Sequence, residues 1–217
     1  MQPRRFRDAG QAFPIYITVV AGLLFLAFAY FAVGQAAAAR NGAQTAADAA
    51  ALAASQDARD PFRQGLLDGI LDGGDLEDVL GRLPFTEARG CAEAARFAAK
   101  NDAELTGGYD GCHRVFGFRR GFEVKVRTLE SVGDSVVPGT ENQHATATAK
   151  AVIDFRCSFQ KAEPDEEDGG GGSDEGEDED RKPVGTLRCD GRDFSLDPDD
   201  PHLFPTAADL FSVHLTD

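Results

Sequence analysis

An almost unbroken apolar run occupies Phe13 to Val33, and no charged residue stands between Asp8 and Arg40. About 20 apolar residues in a helix, at roughly 1.5 Å rise each, cross the hydrocarbon core of a bilayer. The pattern therefore predicts a single transmembrane helix over residues 12–34. A secretory signal peptide is the alternative, since the start of the chain is basic and Ala36 to Ala39 imitate a small-residue cleavage site. A signal peptide's apolar core runs about 7–15 residues, and the longer run here favours an uncleaved anchor.

After Gly34 the chain turns to alanine without losing helical character. Alanine has the highest helix propensity, and no proline interrupts from Ile15 until Pro61. One long helix from about Pro14 to about Ala58 is expected. Pro14 falls in its first turn, where a missing N–H is harmless. Residues 35–60 form an alanine-rich helical extension, expected to project about 35 Å past the bilayer at 1.5 Å per residue. Gly34 and Ala38, like Ala43 and Ala47, are spaced as small-xxx-small pairs, which let a second helix approach closely. The plainer reading is a passive stalk of generic helix.

Beyond Pro61 the periods are shorter. Phe62, Leu66, Leu67, Ile70 and Leu71 share one helical face, and Leu76, Val79, Leu80 and Leu83 share another after Gly73-Gly74. Two short amphipathic helices, or one broken helix, are expected there, followed by a helix from Cys91 to about Asn101. Then the period becomes two. Phe122, Val124 and Val126 alternate with Glu123, Lys125 and Arg127, as in a strand with one wet face. Val115, Phe116 and Phe118 stand before it across Arg119-Arg120-Gly121, which suggests a hairpin, and residues 145–155 alternate again. Three antiparallel strands behind helices make an α+β head.

Charge and cysteine content narrow the class. The 217 residues carry a net charge of -15, while the basic Arg4, Arg5 and Arg7 sit on the N-terminal side of the apolar run. The positive-inside rule places residues 1–11 in the cytoplasm as a short stub and the head outside. An acidic exported part argues against nucleic acid as a partner, because phosphate contacts need a basic surface. Cys91, Cys112, Cys157 and Cys189 all follow the apolar run, and an even number in an exported segment reads as two disulfides. Three pairings are open; proximity favours Cys91–Cys112 and Cys157–Cys189. Residues 163–180 hold eleven Asp or Glu and a Gly169–Gly172 run, with no basic residue. A disordered acidic loop over 161–183 is expected, with 61–160 as the head and 184–217 as a C-terminal segment packing on it. Ligand spacing for a calcium loop is absent from the acidic run.

The chain carries little recognisable catalytic or metal-binding chemistry. His113, His144, His202 and His214 are scattered at no metal-ligand spacing, and no nucleophile elbow, P-loop or dinucleotide fingerprint is present. No catalytic residue, cofactor site or metal site is expected.

Two stretches carry a family resemblance. Gly10-Gln-Ala-Phe-Pro leads into the apolar run, and Ala43-Gln-Thr-Ala-Ala-Asp-Ala-Ala-Ala-Leu-Ala-Ala follows it. In this order they resemble the TadE/TadG-like proteins of Flp (tight-adherence) pilus assembly, in an alanine-rich, actinobacterial style. The resemblance covers roughly residues 8–58. It implies no enzymatic activity and no cofactor. The implied partners are the lipid bilayer and other pilus-assembly membrane proteins, and it leaves open a homo-oligomer through the N-terminal helix. Cleaved members of this system resemble one another in a Gly cleavage site with Glu five residues on. Gly10 and Gln11 occupy the cleavage position, but Ile15 stands where that Glu belongs, and Pro14 precedes it. The resemblance is therefore to the uncleaved TadG-like component, a non-enzymatic part of a pilus-assembly or secretion machine. The alternative is an anchored extracellular binding domain that uses its acidic surface for cations or a basic partner.

Overall fold

The computed structural model describes residues 12–115, 120–131, 142–162 and 183–216. The stub with Gly10 and Gln11, the acidic run and the Phe116–Phe118 part of the expected hairpin lie outside the described residues. The fold is α+β: a long N-terminal helix, further helices and two antiparallel sheets.

Helix α1 spans Ala12–Asp57, 46 residues without a break. It stops where Pro61 requires: proline has no N–H to give to the carbonyl of Asp57, four residues back. The chain hardly deviates there, because Ala58 keeps helical angles and α2 (Arg59–Leu71) starts at once. Gly73, at φ +85°, closes α2, with its N–H and that of Gly74 reaching the carbonyls of Ile70 and Gly69. Helix α3 (Leu76–Arg82) is capped by the Asp75 side chain, which accepts from Glu77 N at 3.0 Å. Helix α4 follows over Glu87–Lys100.

The main sheet has five strands: β1 (Ala103–Leu105), β2 (Cys112–Val115), β3 (Arg120–Thr128), β4 (Thr146–Phe155) and, near the end of the chain, β8 (Phe211–Thr216). Strands β1 and β2 both pair with β3 along the same side, β3 pairs with β4, and β4 pairs with β8, all antiparallel. The alternation read from the sequence holds in β3. Phe122, Val124 and Val126 are fully buried, while Lys125 and Arg127 are exposed. A hairpin forms here as β2 with β3, Cys112 opposite Val124, but Arg120 and Gly121, expected in its turn, are the first residues of β3. The second sheet is a meander of β5 (Cys157–Lys161), β6 (Gly185–Cys189) and β7 (Arg192–Leu196). Asp190 and Gly191, both at positive φ, form the two-residue turn between β6 and β7.

The core lies between the main sheet and the helices α1 and α4. Ala43, Ala46, Ala47, Ala50, Ala51 and Ala54 are all at 0 % exposure. Alanine's short side chain lets α1 lie close on β3, β4 and α4. Ser55, also fully buried, satisfies its hydroxyl on the carbonyl of Ala151 at 3.2 Å. This corrects the expected free extension over 35–60: from Ala43 onward α1 is the central helix of the head, and does not project past it. Residues 184–217 likewise do more than pack on the head, since β8 completes the main sheet and β6 pairs with β5.

Disulfides join Cys91 to Cys112 and Cys157 to Cys189, with Cα–Cα distances of 5.6 and 4.2 Å. The first ties α4 to β2. The second links directly opposed residues of β5 and β6.

Candidate functional site

Helix α1 divides into two chemically different halves. In the first half apolar side chains point in every direction, and among the described residues nothing covers them: Phe25 is 72 % exposed and Tyr30 83 %. This part is long and apolar enough to cross a membrane. In the second half the buried alanines form one side of the head. The change falls between Val33 and Ala43, ten residues or about 15 Å of helix. That interval, Gly34 to Gly42, belongs to neither environment. A Cβ added at Gly34 or Gly42 would meet nothing within 4 Å. Ala27, Tyr30, Phe31, Gly34, Gln35 and Ala38 outline a shallow groove of about 480 Å³ on the helix surface.

The four small residues singled out by spacing therefore separate into two pairs. Gly34 and Ala38 are exposed beside the groove. Ala43 and Ala47 are enclosed by the chain's own head. What covers them belongs to this chain, whose α4, β3 and β4 all pack on α1. Periodicity could not separate the pairs, because alanine suits an open helix and a crowded one equally.

The course of α1 also orients the head. Asp48 borders the same cavity as Thr148 and Lys150, Ser55 bonds Ala151, and Phe62 of α2 meets Phe211, which is paired with Phe155. Helix α1 thus runs alongside β4 in the same direction. The start of β4 is the end nearest the apolar segment, and α2 and α3 lie at the far end.

Polar groups collect in two places. At the near end a cavity of about 570 Å³ opens beside Gln44, Asp48, Lys150 and His214. On the neighbouring strand Glu123 pairs with Lys150 at 3.2 Å and with His113 at 3.5 Å. Among the described residues no group of three or more His, Cys, Asp or Glu is placed to hold a metal ion. At the far end Arg82, Arg114 and Arg120 converge on a second cavity. They come from α3, β2 and β3, so no local sequence signal announces the grouping.

One short element fastens β8. Thr206 and Asp209 form a capping box on α5 (Ala207–Leu210): the Asp209 carboxylate accepts from the Thr206 hydroxyl at 2.6 Å and from its backbone N–H at 2.9 Å. The hydroxyl bond foremost, with the backbone bond and Arg192 adding to it, holds the Asp209 carboxyl below its ordinary range.

No curated protein and no solved structure matches the chain. The Tad family, described as Flp pilus-assembly TadE/G-like, matches residues 10–59. The match takes in the apolar half of α1, the open interval and the buried alanines, and it ends where α2 begins. The N-terminal helix of this protein is thus similar to the TadE/G-like segment of Flp pilus-assembly proteins, and the head beyond it lies outside the matched residues.

Proposed function

We propose that the protein is a membrane-anchored, non-enzymatic component of a Flp/Tad-type pilus-assembly or secretion machine. The observation that carries this reading is the division of α1. One unbroken helix is bare and apolar over its first half and is the core of a head over its second, and the TadE/G-like match covers both halves. Residues 12–34 span the bilayer in this reading. Arg4, Arg5 and Arg7 keep the stub in the cytoplasm, and the disulfide-bonded head stands outside. The head is carried on the same rigid helix as the anchor, so a push or rotation applied within the membrane would reach it directly.

Contact with other pilus-assembly membrane proteins, or with a second copy, is assigned to the open face at Gly34 and Ala38. Ala43 and Ala47 are removed from that assignment because the head already occupies them. In lipid, helices associate by close van der Waals packing, which small residues permit and bulky ones prevent. Gly34→Leu should therefore abolish copurification with pilus-assembly membrane proteins while leaving membrane insertion and the head intact. A reporter active only outside the cytoplasm, fused after Asp217, should be active in the same cells. Full copurification of Gly34→Leu would refute the interface, and a silent reporter beside an active cytoplasmic one would refute the orientation. Loss of copurification on deleting residues 165–180, with Gly34→Leu unaffected, would instead support the acidic binding-domain alternative.

A further inference from the structure

The arginine cavity at the far end of the head has no part in the anchoring reading. It measures about 360 Å³ and is bordered by Arg82, Arg114 and Arg120 above an apolar floor of Leu83, Phe85 and Val115.

The three arginines differ in what holds them. Arg82 pairs with Asp78 at 3.3 Å on the exposed side of α3, and Arg114 pairs with Glu87 at 3.5 Å. Arg120 is held by two backbone carbonyls at the end of α3: Nη1 donates to Leu83 O at 2.8 Å and Nη2 to Gly81 O at 2.7 Å. Its guanidinium also lies 5.7 Å from the centre of the Phe62 ring. Among the described residues no carboxylate pairs with Arg120. Carbonyls and the negative end of a short helix orient a guanidinium and offset part of its charge, but they do not neutralise it. Two of its five N–H donors are used, which leaves three. Partial burial, with the neighbouring Arg114 charge, holds the Arg120 pKa below its ordinary value, as expected of a cation lacking a counter-charge.

The floor of the cavity is equally defined. Phe85 stacks on the buried Phe122 with centroids 5.0 Å apart and tilts against Phe62 at 5.5 Å. A fixed cation beside a rigid aromatic floor matches a ligand with a carboxylate at one end and an apolar body at the other. A cavity of this volume is at the small end of ligand-sized pockets, enough for one side chain and its carboxylate.

We propose that this cavity is a recognition site for the C-terminal carboxylate of a protein partner whose last residue is aromatic or large and aliphatic. Arg120 receives the carboxylate, Arg114 adds charge, and Phe85 with Leu83 and Val115 takes the side chain. The site faces away from the membrane, so the partner approaches from outside. Because the opposite end of the head carries the anchor, the bilayer does not cover the site in the membrane-inserted protein.

The test uses the full chain in nanodiscs and N-acetyl-phenylalanine as the probe, with N-acetyl-phenylalaninamide as the uncharged match. Binding is read from NMR shift changes in isotopically labelled phenylalanine and valine. The acid should bind saturably and move the Phe85 and Val115 signals. The amide should bind roughly tenfold or more weakly, because charge-assisted hydrogen bonds are lost. Arg120→Gln should weaken the acid by a similar factor and leave the amide unchanged. Since Arg120 also caps α3, Arg114→Gln serves as a second variant that leaves that cap in place, and it should weaken the acid several-fold. Equal binding of acid and amide, or equal binding of the acid to wild type and both variants, would overturn the proposal. Inorganic phosphate displacing the acid at equal concentration would also overturn it, because the site would then be a generic anion site with no use for its aromatic floor.

Discussion

Replacing Ala47 by leucine gives the most direct check on where the head begins. Ala47 is at 0 % exposure, and Ala43, Ala46, Ala50, Ala51 and Ala54 around it are equally enclosed. Leucine adds three carbon atoms to a spot where α1 meets α4 and the sheet. Interiors are packed like organic crystals, so the added atoms have nowhere to go without moving backbone or forcing rotamers. Overpacking of this kind costs about 1–3 kcal/mol. For a domain of this size each kcal/mol lowers the melting temperature by about 2–4 °C. A fall of roughly 2–12 °C is therefore expected. Gly34→Leu is the control on the same helix. A Cβ there meets nothing within 4 Å, and leucine is the better helix former by nearly 1 kcal/mol. The head's melting temperature should not fall in that variant. The chain contains no tryptophan, so far-UV circular dichroism of the full chain in nanodiscs is the suitable readout. If Ala47→Leu melts with wild type, or Gly34→Leu melts as low as Ala47→Leu, the boundary between open and enclosed α1 is misplaced.

Two further outcomes follow from single contacts. A Cβ at Gly90 of α4 would lie 2.1 Å from Cζ of Phe122, a fully buried ring stacked on Phe85. Gly90→Ala should therefore lower the melting temperature despite a helix-propensity gain of up to ~1 kcal/mol, and a rise would show that Phe122 can yield. The Asp209 carboxyl titrates lower in the folded protein than in the unfolded chain. Its stabilising contribution is present above the unfolded value of about 3.9 and is lost as pH falls through the depressed folded value. Asp209→Asn should be less stable than wild type at pH 7, and the gap should narrow in melts at pH 3. A gap of the same size at both pH values would contradict the assignment.

Much of this molecule was legible one segment at a time. The length of the apolar run marked the part of α1 that is long and apolar enough to cross a membrane, since no charge interrupts it. Pro61 marked the end of that helix through its missing N–H, and the alternation around Phe122 marked β3 and its wet face. These signals are local, carried by period and composition within a dozen residues. Neither the hairpin turn at Asp190-Gly191 nor the strands it joins, β6 and β7, was expected from the pattern.

The tertiary structure decided what those elements face. Gly34, Ala38, Ala43 and Ala47 share one spacing rule, yet two are open and two are buried. The difference is made by α4 and by strands about a hundred residues on, as the bond from Ser55 to Ala151 shows. Likewise Arg82, Arg114 and Arg120 meet only because α3, β2 and β3 end at the same side of the head. Alanine and arginine carry no instruction about neighbours so distant in sequence. Their roles were set when the chain folded back on α1, and burial and charge spacing are properties of that arrangement.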